Sequence, residues 1–223
     1  MRAEAALGPR AEPFHISLMI PYPDSRSGTL NFGTGRFDLG TTRGRVAAAA
    51  AWVAAASERF ARAGFHRLRL DGFYWLQETA PSSDAALLPQ VAQVVHGRGL
   101  RFLWIPYYDS ENWTRWRALG FDEAWLQPNY FFNRQVPPTR LDSAVARAEA
   151  FAMGLEIEFD GRLYADPVFA DRLEPYVAAL AAHPELRARA VAIYEGGGAL
   201  ATLASSHRAS DRLRYEQLVA ALR

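Results

Sequence analysis

The chain has 223 residues, half of them hydrophobic, with 25 Lys and Arg against 24 Asp and Glu and a net charge of +1. This balance gives no electrostatic case for binding nucleic acid or an anionic membrane, so neither partner is expected. The absence of cysteine excludes disulfides, thiolate metal sites and cysteine nucleophiles.

The length fits one α/β domain, and we expect a single domain over residues 14–223 after a disordered N-terminal extension, residues 1–13. The N-terminus lacks the apolar core of a signal peptide, and no apolar run reaches the roughly 18 to 20 residues of a membrane span. The chain as written is therefore expected in the cytoplasm, or outside the cell if upstream sequence precedes it. The oligomeric state is left open.

Short apolar strands alternate with alanine- and arginine-rich helices along the chain. The predicted strands are 15–23, 66–78, 100–108, 123–132, 153–160 and 188–197. The predicted helices are 44–64, 83–97, 112–119, 141–151, 168–182 and 208–222. Because the sequence carries no two-residue hairpin signal between strands, these six βα units predict a parallel sheet.

Parallel strands joined by helices form either a closed eight-stranded barrel or an open doubly wound sheet. Polar and aromatic residues crowd nearly every strand end, which favours a (β/α)8 TIM barrel, because a barrel gathers all these ends at one mouth. The stretch "FGTGRFDLG" lacks the GxGxxG spacing of a dinucleotide site, so no cofactor is expected. Six units are two short of eight, so either two strands come from sequence outside this chain or the barrel is incomplete.

Six motifs in order resemble a known bacterial family. They are "IPYPD", "GFYWLQE", "WIPYYDSENW", "LGFDEAWLQPNYFFN", "GLEIEFD" and "YEGGG". This series is similar to the domain-of-unknown-function family 4855, from about residue 16 to the end of the chain. The resemblance implies a barrel of glycoside hydrolase character. Longer members of the family carry additional sequence before the "PYPD" strand, so this chain departs from the family pattern by starting later.

The stretch "GLEIEFD" carries the strongest chemical signal. Side chains alternate along a strand, so Glu156, Glu158 and Asp160 share one face of the predicted strand. Adjacent acids repel one another and are costly to bury, so they need strong partners or a function. An internal ion pair of Glu156 and Glu158 with an arginine such as Arg69 is the structural alternative, and Asp160 can instead cap the following loop.

Counting the barrel strands assigns roles to these acids, by analogy with retaining glycoside hydrolase barrels. With two strands missing in front, "GFYWLQE" becomes strand 4 and "GLEIEFD" strand 7, the positions of the acid/base and the nucleophile. Glu78 is then the acid/base, and Glu158 or Glu156 is the nucleophile. Such a pair lies about 5 Å apart for retention or about 6.5 to 9.5 Å apart for inversion. For Glu78 the alternative is an ordinary solvated residue.

Aromatic, amide and acidic side chains at the strand ends suit the apolar faces and hydroxyls of a sugar. The candidates for substrate binding are Asp24, Trp75, Tyr107, Tyr108, Asp109, Gln127, Asn129, Tyr130, Asp160, Tyr194 and Glu195. Glu195, before three glycines, also competes for a catalytic role, with a tight turn as its alternative. The five histidines are scattered without HExxH spacing, so no metal site is expected.

These observations leave two hypotheses about function, one of an enzyme and one of a non-catalytic protein. The chain is a glycoside hydrolase acting on a poly- or oligosaccharide through a pair of carboxylates at the mouth of the barrel. Alternatively, it is a non-catalytic carbohydrate-binding or degenerate barrel, in which the acids only bind ligand or pair internally. The sequence does not identify the sugar or the linkage.

Overall fold

The computed structural model describes residues 12–222, so the predicted N-terminal extension lies almost wholly outside the described residues. The chain divides into two compact units. Unit 1 comprises Met1–Trp104 with Ser110–Glu123, and unit 2 comprises Ile105–Asp109 with Ala124–Arg223. Each unit is mixed α/β with parallel strands. Within residues 12–222, no helix has the length and apolar character needed to cross a membrane.

Unit 1 contains three parallel strands and a separate hairpin. Its strands are β1 (Phe14–Ile20), β2 (Thr29–Phe32), β3 (Gly35–Asp38), β4 (Leu68–Trp75) and β5 (Arg101–Trp104), and its helices are α1 (Thr42–Arg62) and α2 (Leu88–His96). Strand β4 lies between β1 and β5 and pairs with both in parallel. Ile20, Trp75 and Trp104 are neighbours in this register, so the three strands end at the same level.

The hairpin overturns one prediction. Strands β2 and β3 are antiparallel, and Phe32 pairs with Gly35, so Gly33 and Thr34 form a two-residue turn. Gly33 has φ 58°, a conformation that glycine adopts without steric cost at the first central position of such a turn. The prediction that the chain lacks a two-residue hairpin was therefore wrong, and "FGTGRFDLG" forms most of this hairpin.

A buried ion pair lies in the core of unit 1. The Arg45 guanidinium on α1 is 2.7 Å from the Asp84 carboxylate, and Tyr22 donates its hydroxyl to the same carboxylate at 2.9 Å. Asp84 is 0% exposed. The sequence pattern predicts Ser83 or Asp84 as the N-cap of the next helix, but the Asp84 carboxylate binds Arg45 instead. A 3-10 turn covers Ser82–Asp84, and α2 begins only at Leu88.

Unit 2 contains the second set of parallel strands. Its elements are β6 (Glu123–Leu126, whose first residue belongs to unit 1), α3 (Thr139–Ala150), β7 (Gly154–Phe159), α4 (Arg162–Ala165), α5 (Pro167–Ala170), α6 (Glu174–Ala182), α7 (Pro184–Ala188), β8 (Val191–Glu195), α8 (Ala199–Ser205) and α9 (Ala209–Leu222). Strand β7 lies between β6 and β8, parallel to both. The prediction of parallel strands is thus confirmed within each unit.

The predicted helix 168–182 is interrupted. The Asp166 carboxylate accepts from the Val168 N–H and so starts α5 at Pro167. A separate helix, α6, begins at Glu174 with Pro175 in its first turn. Proline fits the first turn of a helix but cannot continue a helical hydrogen-bond ladder, so a continuous helix breaks before it.

His183 contacts two glutamates and so links helical segments of unit 2. We call the group Glu149, His183 and Glu185 the histidine clasp. His183 Nδ1 lies 2.9 Å from Glu149 on α3 and 3.0 Å from Glu185 on α7. Partial burial acts to lower the pKa of His183, but its hydrogen bonds to Glu185 and Glu149 outweigh burial and raise the pKa. Arg189, the other cation here, donates to the Glu149 carbonyl.

The clasp predicts a pH dependence of stability. A pKa raised by folding stabilises the protein below the unfolded pKa of about 6.5, and this stabilisation is lost as pH rises through the folded pKa. We therefore expect the free energy of unfolding to fall as the pH rises from about 6.5 through the folded pKa of His183, and His183→Gln to remove most of that fall. Urea unfolding across this range measures it. His66→Gln, at an exposed histidine, is the control, and an equal effect of both variants contradicts the assignment.

Candidate functional site

Strand β7 is the centre of the candidate site in unit 2. All six of its residues are buried, including Glu156 and Glu158, which are 5% and 2% exposed. Leu155, Ile157 and Phe159 are 0% exposed on the opposite face. The predicted alternation therefore exists, but the acidic face is buried as well. Strand β7 is an interior strand between β6 and β8, and helices α3 and α7 pack against it. Burial of both faces by such helices is common for parallel strands.

Glu158 is held by two neutral donors. The Tyr176 hydroxyl on α6 donates to Glu158 Oε2 at 2.7 Å, and the Tyr130 N–H donates to the same oxygen at 3.3 Å. Burial raises the pKa of Tyr176 well above its ordinary value. The negative charge of Glu158 and the hydrogen bond to it raise this pKa further. The Tyr176 hydroxyl therefore stays protonated and remains a donor to the carboxylate.

A buried arginine fixes the loop that carries Tyr130. Arg172, 7% exposed, donates hydrogen bonds to four backbone carbonyl oxygens of this loop. The acceptors are the carbonyl oxygens of Tyr130, Phe131, Asn133 and Val136. Its guanidinium also lies 3.8 Å from the centre of the Tyr130 ring. Arg172 thereby fixes the backbone whose N–H contacts Glu158.

Neither Tyr176 nor Arg172 was identified from the sequence. Tyr176 lies within the apolar helix segment "EPYVAALAA", where a tyrosine is an ordinary core residue. Arg172 precedes α6 in a segment predicted as helix interior. The only signal in the sequence was that Arg172 is a polar residue on the buried face of the predicted helix. Residue spacing does not show which groups such a side chain contacts.

The amides after β6 bind one another. Gln127 Nε2 donates to the Ile105 carbonyl at 3.1 Å, and Asn129 Nδ2 donates to Gln127 Oε1 at 3.2 Å. Asn129 Oδ1 accepts from the Tyr108 N–H at 2.9 Å. Asn129 has φ 51°, a left-handed conformation that asparagine tolerates better than most residues. This network fixes the loop 105–109 against the end of β6.

The side chains of loop 105–109 differ in exposure. Tyr107 is half-buried and forms a parallel bridge with Gln127. Tyr108 is buried, and the guanidiniums of Arg140 and Arg147 lie 3.9 and 3.8 Å from its ring centre. Asp109 is exposed and lies 3.4 Å from Arg147. Tyr107 is thus the half-exposed aromatic residue of this loop.

Asp160 follows β7 and binds Arg162. The Arg162 N–H donates to Asp160 Oδ1 at 2.9 Å, as in a turn cap, and its guanidinium lies 2.9 Å from Oδ2. Burial acts to raise the pKa of Asp160, but the hydrogen bonds from Arg162 outweigh it and lower the pKa. Asp160 therefore remains ionised next to the acidic strand.

The end of β8 is exposed. Tyr194 is 53% exposed, with its ring 5.6 Å from Phe132. Glu195 Oε2 accepts from the Leu200 N–H at 3.1 Å, so this carboxylate binds the first turn of α8. The intervening glycines include Gly197 and Gly198 at φ 68° and 76°, which make the tight turn considered for Glu195.

The unit 1 candidates lie at the ends of β1 and β4. Asp24 binds Arg26, and this hydrogen bond lowers the pKa of Asp24 to about 2. Trp75 is 0% exposed and packs against Tyr22, with ring centres 5.8 Å apart, in the core. Glu78 is exposed, three residues after the end of β4.

The described residues include one group with the donor types of a metal site. It consists of Glu149, His183 and Glu185, whose ligand atoms lie within 4.8 Å of one another. The histidine nitrogen already contacts both carboxylates, and all three side chains are partly exposed. We treat this group as the ion-paired clasp described above.

Taken together, the parallel βα units define a mixed α/β protein, in which two buried carboxylates lie on one face of strand β7 in unit 2. The chain belongs to the family described as Domain of unknown function (DUF4855), whose family model matches residues 2–220. The resemblance noted in the sequence is thus confirmed. Searches of curated proteins and of solved structures found no match.

Proposed function

We propose that the chain hydrolyses glycosidic bonds of a poly- or oligosaccharide, with Glu158 as the reacting carboxylate and Glu78 as the acid/base. The observation that carries this proposal is the setting of Glu158, which is 2% exposed and accepts hydrogen bonds from Tyr176 and from the Tyr130 backbone. Burying a carboxylate is costly, and oriented neutral donors offset that cost while holding the group in one position. Such preorganisation is typical of catalytic groups.

The proposed chemistry divides into two roles. Glu78 donates a proton to the glycosidic oxygen as the bond to the anomeric carbon breaks. Glu158 either attacks that carbon, or removes a proton from the water that attacks it, which are the retaining and inverting alternatives. Glu156, two residues earlier on the same face, adds a second carboxylate to the local field. Glu156 is the alternative reacting group.

The fold proposed for this function is the greater part of a (β/α)8 barrel. Three observations support this fold. Strands pair in parallel in both parts of the chain, the acids lie at strand ends, and the chain belongs to the DUF4855 family. In this fold, Tyr107 and Tyr194 are the strand-end residues best suited to contact a sugar. Tyr107 is half-buried and Tyr194 is exposed, and both present aromatic faces.

The alternative is a non-catalytic carbohydrate-binding barrel or a degenerate barrel. The amide network of Gln127 and Asn129, and the turn contacts of Asp160 and Glu195, fit the degenerate barrel, because the polar groups of these residues already have partners within the protein. In that case Glu158 has a structural role and accepts hydrogen bonds from Tyr176 and Tyr130.

A panel of glycans tests the proposal. Hydrolysis is measured by release of reducing ends, and binding by calorimetry, for the unaltered chain and for Glu78→Gln. The proposal predicts cleavage of at least one glycan. It also predicts that Glu78→Gln loses activity on that glycan but retains it on an aryl glycoside whose leaving group needs no proton. Binding of a glycan with no cleavage across the panel supports the non-catalytic alternative.

Tyr176→Phe tests the hydrogen bond to Glu158 while keeping the aromatic ring. Loss of a donor destabilises the charged carboxylate, so the acidic limb of the pH–rate profile should move to higher pH. The loss in kcat/KM should be about tenfold, the equivalent of one hydrogen bond to a charged group. Tyr215→Phe on α9 is the control. An unchanged acidic limb with normal folding contradicts this role.

A further inference from the structure

A long apolar groove runs along α1 in unit 1, separate from every residue assigned above. Its volume is about 590 Å³, within the range of about 300 to 1,000 Å³ that is typical of small-molecule sites. Residues of β1, of the β2–β3 hairpin and of α1 and its C-terminal turn form its walls. They include Leu18, Phe32, Trp52, Arg59, Phe60 and Phe65.

Two aromatic pairs line the groove. Phe32 and Trp52 have ring centres 5.6 Å apart, and Phe60 and Phe65 have ring centres 5.2 Å apart. The Trp52 indole N–H donates to the Met19 carbonyl at 2.8 Å, which fixes the ring. Trp52 and Phe60 are eight residues apart on α1, about 12 Å at 1.5 Å per residue. The groove therefore suits an elongated apolar body.

The groove has one cation that lacks a partner within the described residues. Arg62 lies 3.6 Å from Glu58, whereas Arg59 has no ion-pair partner among residues 12–222. Arg59 lies on the same face of α1 as Trp52 and Ala56, because residues three, four and seven apart share a helix face. A guanidinium here can bind a carboxylate through two parallel hydrogen bonds.

The lining also argues against a sugar. No Asp, Glu, Asn or Gln among the described residues lines this groove, and sugar hydroxyls need such partners. Apolar walls with a single unpaired guanidinium match an apolar molecule that carries one negative charge. The ligand chemistry is thus distinct from that of the β7 site.

We propose that this groove binds an elongated apolar monocarboxylate, with Arg59 holding the carboxylate and the aromatic pairs enclosing the apolar chain. The assignment rests on charge complementarity and shape within unit 1, and it is independent of the glycoside hydrolase proposal. Binding should gain with each buried methylene, by about fourfold per CH₂.

Calorimetric titration with decanoate, below its critical micelle concentration, tests the assignment. Decanoate should bind saturably and about fifteenfold more tightly than octanoate, which lacks two methylenes. Decyltrimethylammonium, with the same chain and the opposite charge, should bind far more weakly. Arg59→Gln should weaken decanoate binding at least about tenfold, as loss of a charge-assisted bond predicts. Arg43→Gln, at an exposed arginine of the same helix, should leave binding unchanged.

A second variant and a second measurement test whether something other than a monocarboxylate occupies the groove. Ala56→Phe fills the groove and should abolish binding while circular dichroism stays unchanged. Equal binding of decanoate and decyltrimethylammonium, or equal effects of Arg59→Gln and Arg43→Gln, overturns the proposal. Sedimentation measurements test a second copy of the chain as the occupant. Self-association that Ala56→Phe abolishes, without decanoate binding, assigns the groove to that copy and also overturns the proposal.

Discussion

Glu158→Gln is expected to lower kcat for glycan hydrolysis by at least about 10³-fold while glycan binding is retained, because an amide can neither attack the anomeric carbon nor act as a base. Glutamine has nearly the size of glutamate, and its carbonyl oxygen can still accept from Tyr176 and Tyr130. The substitution therefore removes the charge while preserving the contacts that position the side chain. Initial rates and calorimetry on the same glycan separate the two effects.

The matched control for this prediction is Glu216→Gln, at an exposed glutamate of α9. It makes the same change of charge in unit 2, far from β7 in sequence, and should leave kcat within about twofold, as surface substitutions usually do. Glu156→Gln is informative as well. A larger loss for Glu156→Gln than for Glu158→Gln assigns the reaction to Glu156, and full activity of Glu158→Gln contradicts the proposed role of Glu158.

Arg172→Met is expected to lower the free energy of unfolding by about 3 to 5 kcal/mol, because it leaves several carbonyl acceptors of one loop without their donor. Methionine fills a similar volume but donates no hydrogen bond. The carbonyl oxygens of the loop 130–136 then lose the donor they share, and each unsatisfied buried acceptor costs about 1 to 3 kcal/mol. Urea unfolding followed by circular dichroism measures the change.

Two further variants define what Arg172 contributes. Arg172→Lys keeps the charge but not the planar fork of donors, so an intermediate loss is expected. Arg212→Met, at an exposed arginine of α9, should change stability by less than about 0.5 kcal/mol. Equal losses for Arg172→Met and Arg212→Met would show that the hydrogen bonds of Arg172 do not stabilise the loop.

The sequence predicted the strongly patterned elements well. Alternation in "GLEIEFD" located β7 and the shared face of Glu156 and Glu158, and the helix ending before Gly64 was placed within two residues. Gly64 has φ 62°, as expected of a glycine that ends a helix. These features depend on local hydrophobic periodicity and on the backbone preferences of single residues, and both can be inferred from one sequence.

Features that depend on tertiary contacts were missed. The Gly33-Thr34 turn lacks the common Asn-Gly signature, so the hairpin was not predicted. Asp84 was expected to cap a helix, but its pairing with Arg45 comes from a distant segment. Tyr176 and Arg172 likewise act on residues at least 18 positions away, and periodicity carries no information about such partners.

Chemical rescue of Glu158→Ala with azide tests the central claim most directly. Removing the side chain should abolish cleavage of a glycan that the unaltered chain hydrolyses. Added azide, a small anion that can occupy the place of the carboxylate, should restore turnover and form a glycosyl azide detectable by mass spectrometry. If the unaltered chain is active but azide restores nothing and no glycosyl azide forms in folded Glu158→Ala, Glu158 is not the carboxylate that faces the reacting carbon.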